Sequence, residues 1–300
     1  MNPWKKLDGL EQGNVRAVAR AISLIENNVE GYQSFLENLS LPATQVVGIT
    51  GPPGAGKSTL VDALIGEWIG RNQSVAVVCV DPSSPFNQGA LLGDRIRMSS
   101  WYNHPQVFIR SLATRGSLGG LHPKIIEITD TLKAARFDVV VVETVGVGQT
   151  EIEIAGLADT TVLVLVPEAG DDVQAMKSGL LEVADLFVVN KADRPGADHF
   201  VKNLRQMLSP PFNTRQHAAP ILKTVSTQKS GILELFSSIL LHQQEPRHTE
   251  KKGALLAEKA YQLIQHEKMK VISKEVLKKE IDEQAGEPEF NLYRFVKKFL

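Results

Sequence analysis

Seven short runs of Val, Ile and Leu through the middle of the chain constrain its fold more than any other feature. They are Val46–Thr50, Val75–Val80, Val107–Ile109, Asp138–Val142, Thr161–Val166, Leu186–Val189 and Ile221–Val225. Most lack the polar alternation of a strand with one wet face. Strands buried on both faces read this way, as in a parallel sheet covered by helices. Longer amphipathic segments separate the runs. That alternation predicts an α/β fold, a doubly wound and mainly parallel sheet. A buried helix segment is the competing reading of any single run, and the shortness of the runs favours strand.

The two ends of the chain have a different texture. Val15, Val18, Ala19, Ala21, Ile22, Leu24 and Ile25 recur at helical spacing, Phe35 and Leu39 follow, and Leu41-Pro42 breaks the pattern. Beyond Gln243-Gln244-Glu245-Pro246 the chain is highly charged. There Leu255, Leu256, Ala260, Leu263 and Ile264 form one helical stripe, and Val271, Ile272, Val276, Leu277 and Ile281 form another; 291–300 is a third short candidate. These stripes suit either an interaction arm or helices packed on the sheet domain. The expected division is a helical N-terminal extension over 1–42, an α/β domain over 43–245 and a helical C-terminal arm over 246–300.

Composition mostly excludes. Lys plus Arg is 33 against 34 Asp plus Glu, a formal net charge of −1, which gives no support to nucleic-acid or membrane binding by the whole surface. No apolar run reaches the ~18–20 residues of a membrane span. The start, Met1-Asn2-Pro3-Trp4-Lys5-Lys6, has no apolar signal core. The expectation is a cytoplasmic protein. The single cysteine, Cys79, rules out an internal disulfide and lies in an apolar run, as a buried structural thiol does.

Chemistry enters with Gly51-Pro52-Pro53-Gly54-Ala55-Gly56-Lys57-Ser58, which fits G-x-x-x-x-G-K-[ST]. It follows an apolar run and opens the helical segment Thr59–Ile69, the order a P-loop requires. The glycines let backbone N–H groups close around phosphates, and the helix N-terminus adds a positive field. Lys57 can reach the β- and γ-phosphates, and the Ser58 hydroxyl can ligate Mg²⁺. Gly51, Gly54, Ala55, Gly56, Lys57, Ser58 and Thr59 are the candidate phosphate contacts.

The base is read from Asn190-Lys191-Ala192-Asp193, just past Leu186–Val189. The Asp193 carboxylate can accept from the guanine N1–H and 2-amino group. Adenine offers neither donor and would leave it unpaired, a mismatch that discriminates strongly. Asn190 can tie this loop to the P-loop, and the Lys191 stem can cover the base. Ser226-Thr227 sits where a second guanine-contacting loop is expected.

Magnesium and water activation need acids near the γ-phosphate. Glu143, with Gly146 three residues on, suits a metal-associated position, although Asp is usual there in GTP-binding proteins. Asp81 ends the run Val75–Val80, and Asp94 follows in Gly93-Asp94-Arg95. A cap or turn is the competing reading for Asp81, and a solvated surface position for Asp94. Val147 occupies the position where many small GTPases keep a water-orienting Gln, and Gln149 comes later. Slow intrinsic hydrolysis follows, faster once a partner completes the site. Arg115 is a candidate charge stabiliser, with a structural salt bridge as the alternative.

Together these stretches resemble the methylmalonyl-CoA mutase-associated GTPases, the MeaB/ArgK family. The residues that carry the resemblance are GPPGAGKSTL at 51–60, DPSSPFNQGALLGDRIRM at 81–98, RSLATRGSLGGL at 110–121, ETVGVGQTE at 143–151, AGDDVQAMKSGLLEVAD at 169–185 and NKAD at 190–193. The resemblance implies a homodimeric P-loop GTPase that gates cofactor delivery to an adenosylcobalamin-dependent acyl-CoA mutase, methylmalonyl-CoA mutase first among them. A cobalamin adenosyltransferase is a further implied partner. It places Lys57, Ser58, Asp81, Asp94 and Glu143 around phosphates and Mg²⁺. It makes 168–177, with Gln174 and Lys177, a switch that carries nucleotide state to the mutase, and residues 246–300 a dimerisation arm. Pro85-Phe86-Asn87-Gln88 departs from the basic or Thr/Gly-rich loop expected after DPSS. Two alternatives stand beside this reading. A metal-delivery GTPase would need clustered His and Cys, yet no two of the seven histidines lie at i,i+4 and none is near Cys79 in sequence. A kinase linked to basic amino-acid transport would not need the guanine-selective tetrapeptide.

Overall fold

All seven expected strands form and join one parallel sheet. They are β1 (Gln45–Thr50), β2 (Val75–Asp81), β3 (Val107–Ala113), β4 (Val139–Glu143), β5 (Thr160–Leu165), β6 (Leu186–Val189) and β7 (Ile221–Lys223), in the spatial order β3-β2-β4-β1-β5-β6-β7. The computed structural model describes residues 3–81, 98–114, 121–146, 150–168, 184–208, 219–244, 248–269, 272–284 and 290–299. β3 runs four residues past its apolar run, because Arg110 and Ser111 hide it in a hydropathy reading while their backbones stay in register with Val78 and Cys79. β7 stops at Lys223, where Val225 turns to pair with Ser230.

The described helices of the first unit are α1 (Val15–Glu26), α2 (Tyr32–Glu37), α3 (Lys57–Ile69), α4 (Ile125–Ala134), α5 (Thr150–Leu157), α6 (Ala197–Met207) and α7 (Ile232–Gln243). Alternate residues of each central strand feed opposite layers. Val47, Ile49, Val77, Cys79, Val141 and Val164 face α3 and α7, where Leu60, Leu64, Trp68, Leu235 and Phe236 close the core. Val46, Ala76, Val78, Val140 and Val142 face the other way, onto Val18, Ile22 and Ile25 of α1 and Ile128 and Leu132 of α4. Both faces are dry, so both sets of positions are apolar. Trp68 meets Phe236 edge-on at 5.5 Å, and the Arg71 guanidinium lies 4.2 Å over the same ring.

Helix α1 begins at Asn14, whose side chain accepts from the Arg16 and Ala17 N–H groups at 3.0 and 3.1 Å. It shares the sheet's core, so the N-terminal helices belong to the same compact unit, Met1–His248. The second unit is Thr249–Leu300. Its helices are α8, which starts at the junction (His248–Met269), α9 (Lys274–Gln284) and α10 (Leu292–Val296). Leu256, Leu263 and Ile264 of α8 are exposed, while Phe295 of α10 is buried between Phe290 and Phe299. Among the described residues, no helix is long and apolar enough to cross a membrane.

β1 lies at the switch point of the sheet, with β4 on one side and β5 on the other. Ligands of such sheets bind at this point, beyond the strands' carboxyl ends. Gly48 allows α5 to pack against β1. A Cβ on Gly48 would meet Ile154 Cγ1 at 2.6 Å and Ala158 Cβ at 2.9 Å. Gly48→Ala is therefore expected to destabilise the fold by about 1–3 kcal/mol through overpacking. Urea unfolding measures this, and an unchanged midpoint would contradict the packing described.

Candidate functional site

The loop between β1 and α3 is residues 51–56, and α3 begins at Lys57, two residues earlier than its apolar pattern suggests. The first turn of the helix, with its outward N–H groups, therefore carries Lys57 and Ser58 themselves. Gly56 caps the helix at φ 87°, in the left-handed region that side chains avoid. A Cβ there would also sit 2.4 Å from Asn190 Nδ2.

Lys57 is buried, and its ammonium donates to the Gly51 and Pro52 carbonyls at 2.9 and 3.1 Å. The charge is thus held at the mouth of the loop instead of in water. Ser58 Oγ donates to Glu143 Oε1 at 2.7 Å. Glu143 ends β4 and is 4% exposed. The next residue, Thr144, joins Thr50 through their hydroxyls at 3.0 Å and donates its N–H to Ile49 O at 3.0 Å. β4 is therefore zipped to β1 up to the loop. Gly146 (φ 83°) then passes so close that a Cβ would fall 2.2 Å from Gly51 O and 2.6 Å from Lys57 Nζ. Only glycine fits that approach.

Asp81 ends β2, is buried, and accepts the Thr114 N–H on its carbonyl at 3.0 Å. Cys79, two residues before it, is in register with Glu143 on β4, so the two acids lie at the same sheet edge. A serine hydroxyl and two buried carboxylates are hard oxygen donors of the kind Mg²⁺ takes.

The opposite wall is built on Asn190. It is 2% exposed, and its Nδ2 donates to Ala55 O at 2.9 Å. Its Oδ1 accepts from Thr224 Oγ1 at 3.0 Å, Ser226 Oγ at 2.8 Å and the Ser226 N–H at 3.2 Å. One amide thereby ties three loops together. Lys191 sits at φ 55° and donates from Nζ to Gly54 O at 2.7 Å. Ala192 N–H donates to Thr224 O at 3.0 Å, and Arg194 N–H closes the turn onto Lys191 O at 3.0 Å. Asp193 and Thr227 are exposed beside this loop pair. Arg194 pairs with Glu168 just after β5, and that hydrogen bond holds the Glu168 carboxyl below its ordinary range.

The structure thus brings together residues 51–59, Glu143, Asn190, Lys191 and Ser226, with Asp81 on the neighbouring strand end. Asp94, Arg115, Gln149, Gln174 and Lys177 lie outside the described residues. Sequence reasoning passed over Thr224, a buried hydroxyl on the Asn190 amide, and the Thr50–Thr144 pair. The signal for Thr224 was a polar residue inside the run Ile221–Val225, two before Ser226.

Comparisons with known proteins agree with this geometry. The family profile described as "Methylmalonyl Co-A mutase-associated GTPase MeaB" matches residues 18–285. A Pyrococcus horikoshii protein named a GTPase is 47% identical over 286 residues, covering 93% of this chain and 89% of that one. A fused isobutyryl-CoA mutase of Geobacillus kaustophilus is 35% identical over 238 residues, 74% of this chain but 22% of that protein. The crystal structure titled "LAO/AO transport system kinase" superposes with a TM-score of 0.67 at 27% identity, over 88% of this chain and 83% of that one. The chain belongs to the MeaB family of methylmalonyl-CoA mutase-associated GTPases.

Proposed function

We propose that this protein hydrolyses GTP slowly on its own and serves as a homodimeric chaperone of an adenosylcobalamin-dependent acyl-CoA mutase, methylmalonyl-CoA mutase being the first candidate. The observation that carries the client is the Geobacillus protein, in which a relative of this chain is part of a mutase polypeptide. Fusion keeps two functions at a fixed and high effective concentration. A separate chain of the same family would meet its mutase by association, with a cobalamin adenosyltransferase as a further neighbour. The second unit, with exposed apolar residues on α8, is the proposed dimerisation arm.

The hydrolytic part rests on the loop geometry. The backbone N–H groups of Gly54, Ala55 and Gly56 and of the α3 N-terminus bind the phosphates, and Lys57 supplies a positive charge beside the β- and γ-groups. Ser58, Asp81 and Glu143 would hold Mg²⁺, with Asp94 beside them, and the ion would neutralise charge that develops on the transferred phosphoryl group. Glu143 accepts from Ser58, which orients that hydroxyl. Asp193 reads the guanine edge, Lys191 covers the base, and Ser226 and Thr227 border it. Gln149 and Arg115 are proposed for water orientation and charge stabilisation. Guanine selection by Asp193 counts against a kinase that uses ATP.

Four outcomes test this. Asn190→Ala removes the partner of Ala55 O, Thr224 and Ser226, and unsatisfied buried groups cost about 1–3 kcal/mol each. GDP affinity should fall at least about tenfold by calorimetry; a change of less than about twofold would disprove the bracing role. Asp193→Asn turns an acceptor into a donor, so preference should move from guanine to xanthine nucleotides. Equal binding of GDP and ADP by the unaltered protein would sink the guanine assignment. Co-purification with the acyl-CoA mutase of the same organism should depend on GTP versus GDP, with faster hydrolysis in the complex. Nucleotide-independent behaviour with an unchanged rate removes the chaperone reading.

A further inference from the structure

The groups that steady the nucleotide edge do not all come from the nucleotide fold. Glu26 is the last residue of α1, and its side chain is buried. A carboxylate removed from water needs compensating charge and hydrogen bonds. Glu26 Oε2 accepts from the Arg110 guanidinium, which also donates to Ser23 Oγ at 3.2 Å. Glu26 Oε1 faces His122 Nε2 at 3.9 Å. His122 Nδ1 accepts the Lys124 N–H at 3.0 Å, so the ring proton belongs on Nε2, on the Glu26 side.

Arg110 lies in β3, and β2 is the strand beside it. An edge strand has half the ladder bonds of an inner one, so a side-chain anchor matters more there. Arg110 is in register with Val78, and three residues on Ala113 is in register with Asp81. The following N–H, of Thr114, donates to the Asp81 carbonyl at 3.0 Å. A continuous line of contacts runs from Glu26 through Arg110 and the end of β3 to the Asp81 backbone.

We propose that Glu26 is a positioning residue for GTP hydrolysis, holding β3 through Arg110 so that Asp81 keeps its place at the sheet edge. This rests on the reading of Asp81 as an acid on the magnesium side of the site. Glu26 acts on the edge strand β3, whereas the P-loop is held by Asn190 and Lys191, so nucleotide affinity should be spared while turnover falls.

The test is steady-state GTP hydrolysis by the full-length Glu26→Gln, Arg110→Lys and Asp81→Asn variants, with GDP affinity by calorimetry and melting temperature alongside. Glu26→Gln should lower kcat roughly tenfold, as small displacements of catalytic groups do. KM for GTP and Kd for GDP should stay within about twofold. Arg110→Lys should reproduce the loss, and the double variant should lose no more than either single one. An unchanged kcat in Glu26→Gln, or a loss that merely tracks falling GDP affinity and melting temperature, overturns the proposal. If Glu26→Gln does not fold, Arg110→Lys carries the same expectation and the same refutation. Wild-type hydrolysis by Asp81→Asn would refute the underlying reading of Asp81. Loss in Asp81→Asn beside unchanged Glu26→Gln and Arg110→Lys would remove only the role of Glu26.

Discussion

The Asn190 amide joins parts of the site that the chain keeps far apart. The P-loop follows β1, Asn190 follows β6, and Thr224 and Ser226 follow β7, yet all four of the amide's described hydrogen bonds connect them. A loop of small residues has little packing of its own to hold its shape. Its carbonyl at Ala55 is instead fixed from across the site, and Lys191 fixes the neighbouring Gly54 carbonyl. Because Asn190 is buried, losing any partner leaves a polar group dry, and that makes the arrangement steep rather than soft. The P-loop and the loops after β6 and β7 are therefore mechanically one unit.

The same logic explains the buried charges. Lys57 and Glu143 both lie near the loop with little exposure. Each is hydrogen-bonded locally, Lys57 to two loop carbonyls and Glu143 to the Ser58 hydroxyl. These are groups that phosphate and metal chemistry would use, so the folded chain holds them desolvated and oriented in advance. Such preorganisation is what lets fixed dipoles stabilise developing charge. It also accounts for Gly146, whose missing side chain lets the segment after β4 touch the loop directly.

Much of this was legible in the sequence because the relevant signals are local. Both faces of the sheet are dry, so the strands announce themselves as unbroken apolar runs, and the Gly51–Ser58 spacing fixes a loop between strand and helix. The legibility fails where a residue's role depends on something distant. Arg110 and Ser111 interrupt the pattern of β3 because Arg110 answers a carboxylate 84 residues earlier in the chain. Thr224 looks like an ordinary member of the run Ile221–Val225 until Asn190 comes beside it. The start of α3 at Lys57 is set by cap geometry, which hydrophobic periodicity does not encode.

The N-terminal helices show why the boundary between core and extension needs structure. Their apolar stripe, read alone, fits a separate arm as well as a packed layer. Val18, Ile22 and Ile25 lie against Val46, Val140 and Leu132, and a helix with that much apolar surface gains most of its stability from such burial. Apolar contact alone would leave the helix free to rotate or slide by small amounts. Glu26 removes that freedom, because its carboxylate is held by the Arg110 guanidinium, which also donates to Ser23 of the same helix, in a partly buried ion pair that tolerates misalignment poorly. The helix that covers the sheet face is thereby registered against the edge strand, and the edge strand against Asp81. A layer that could have been only a cover is tied to the geometry of the nucleotide edge.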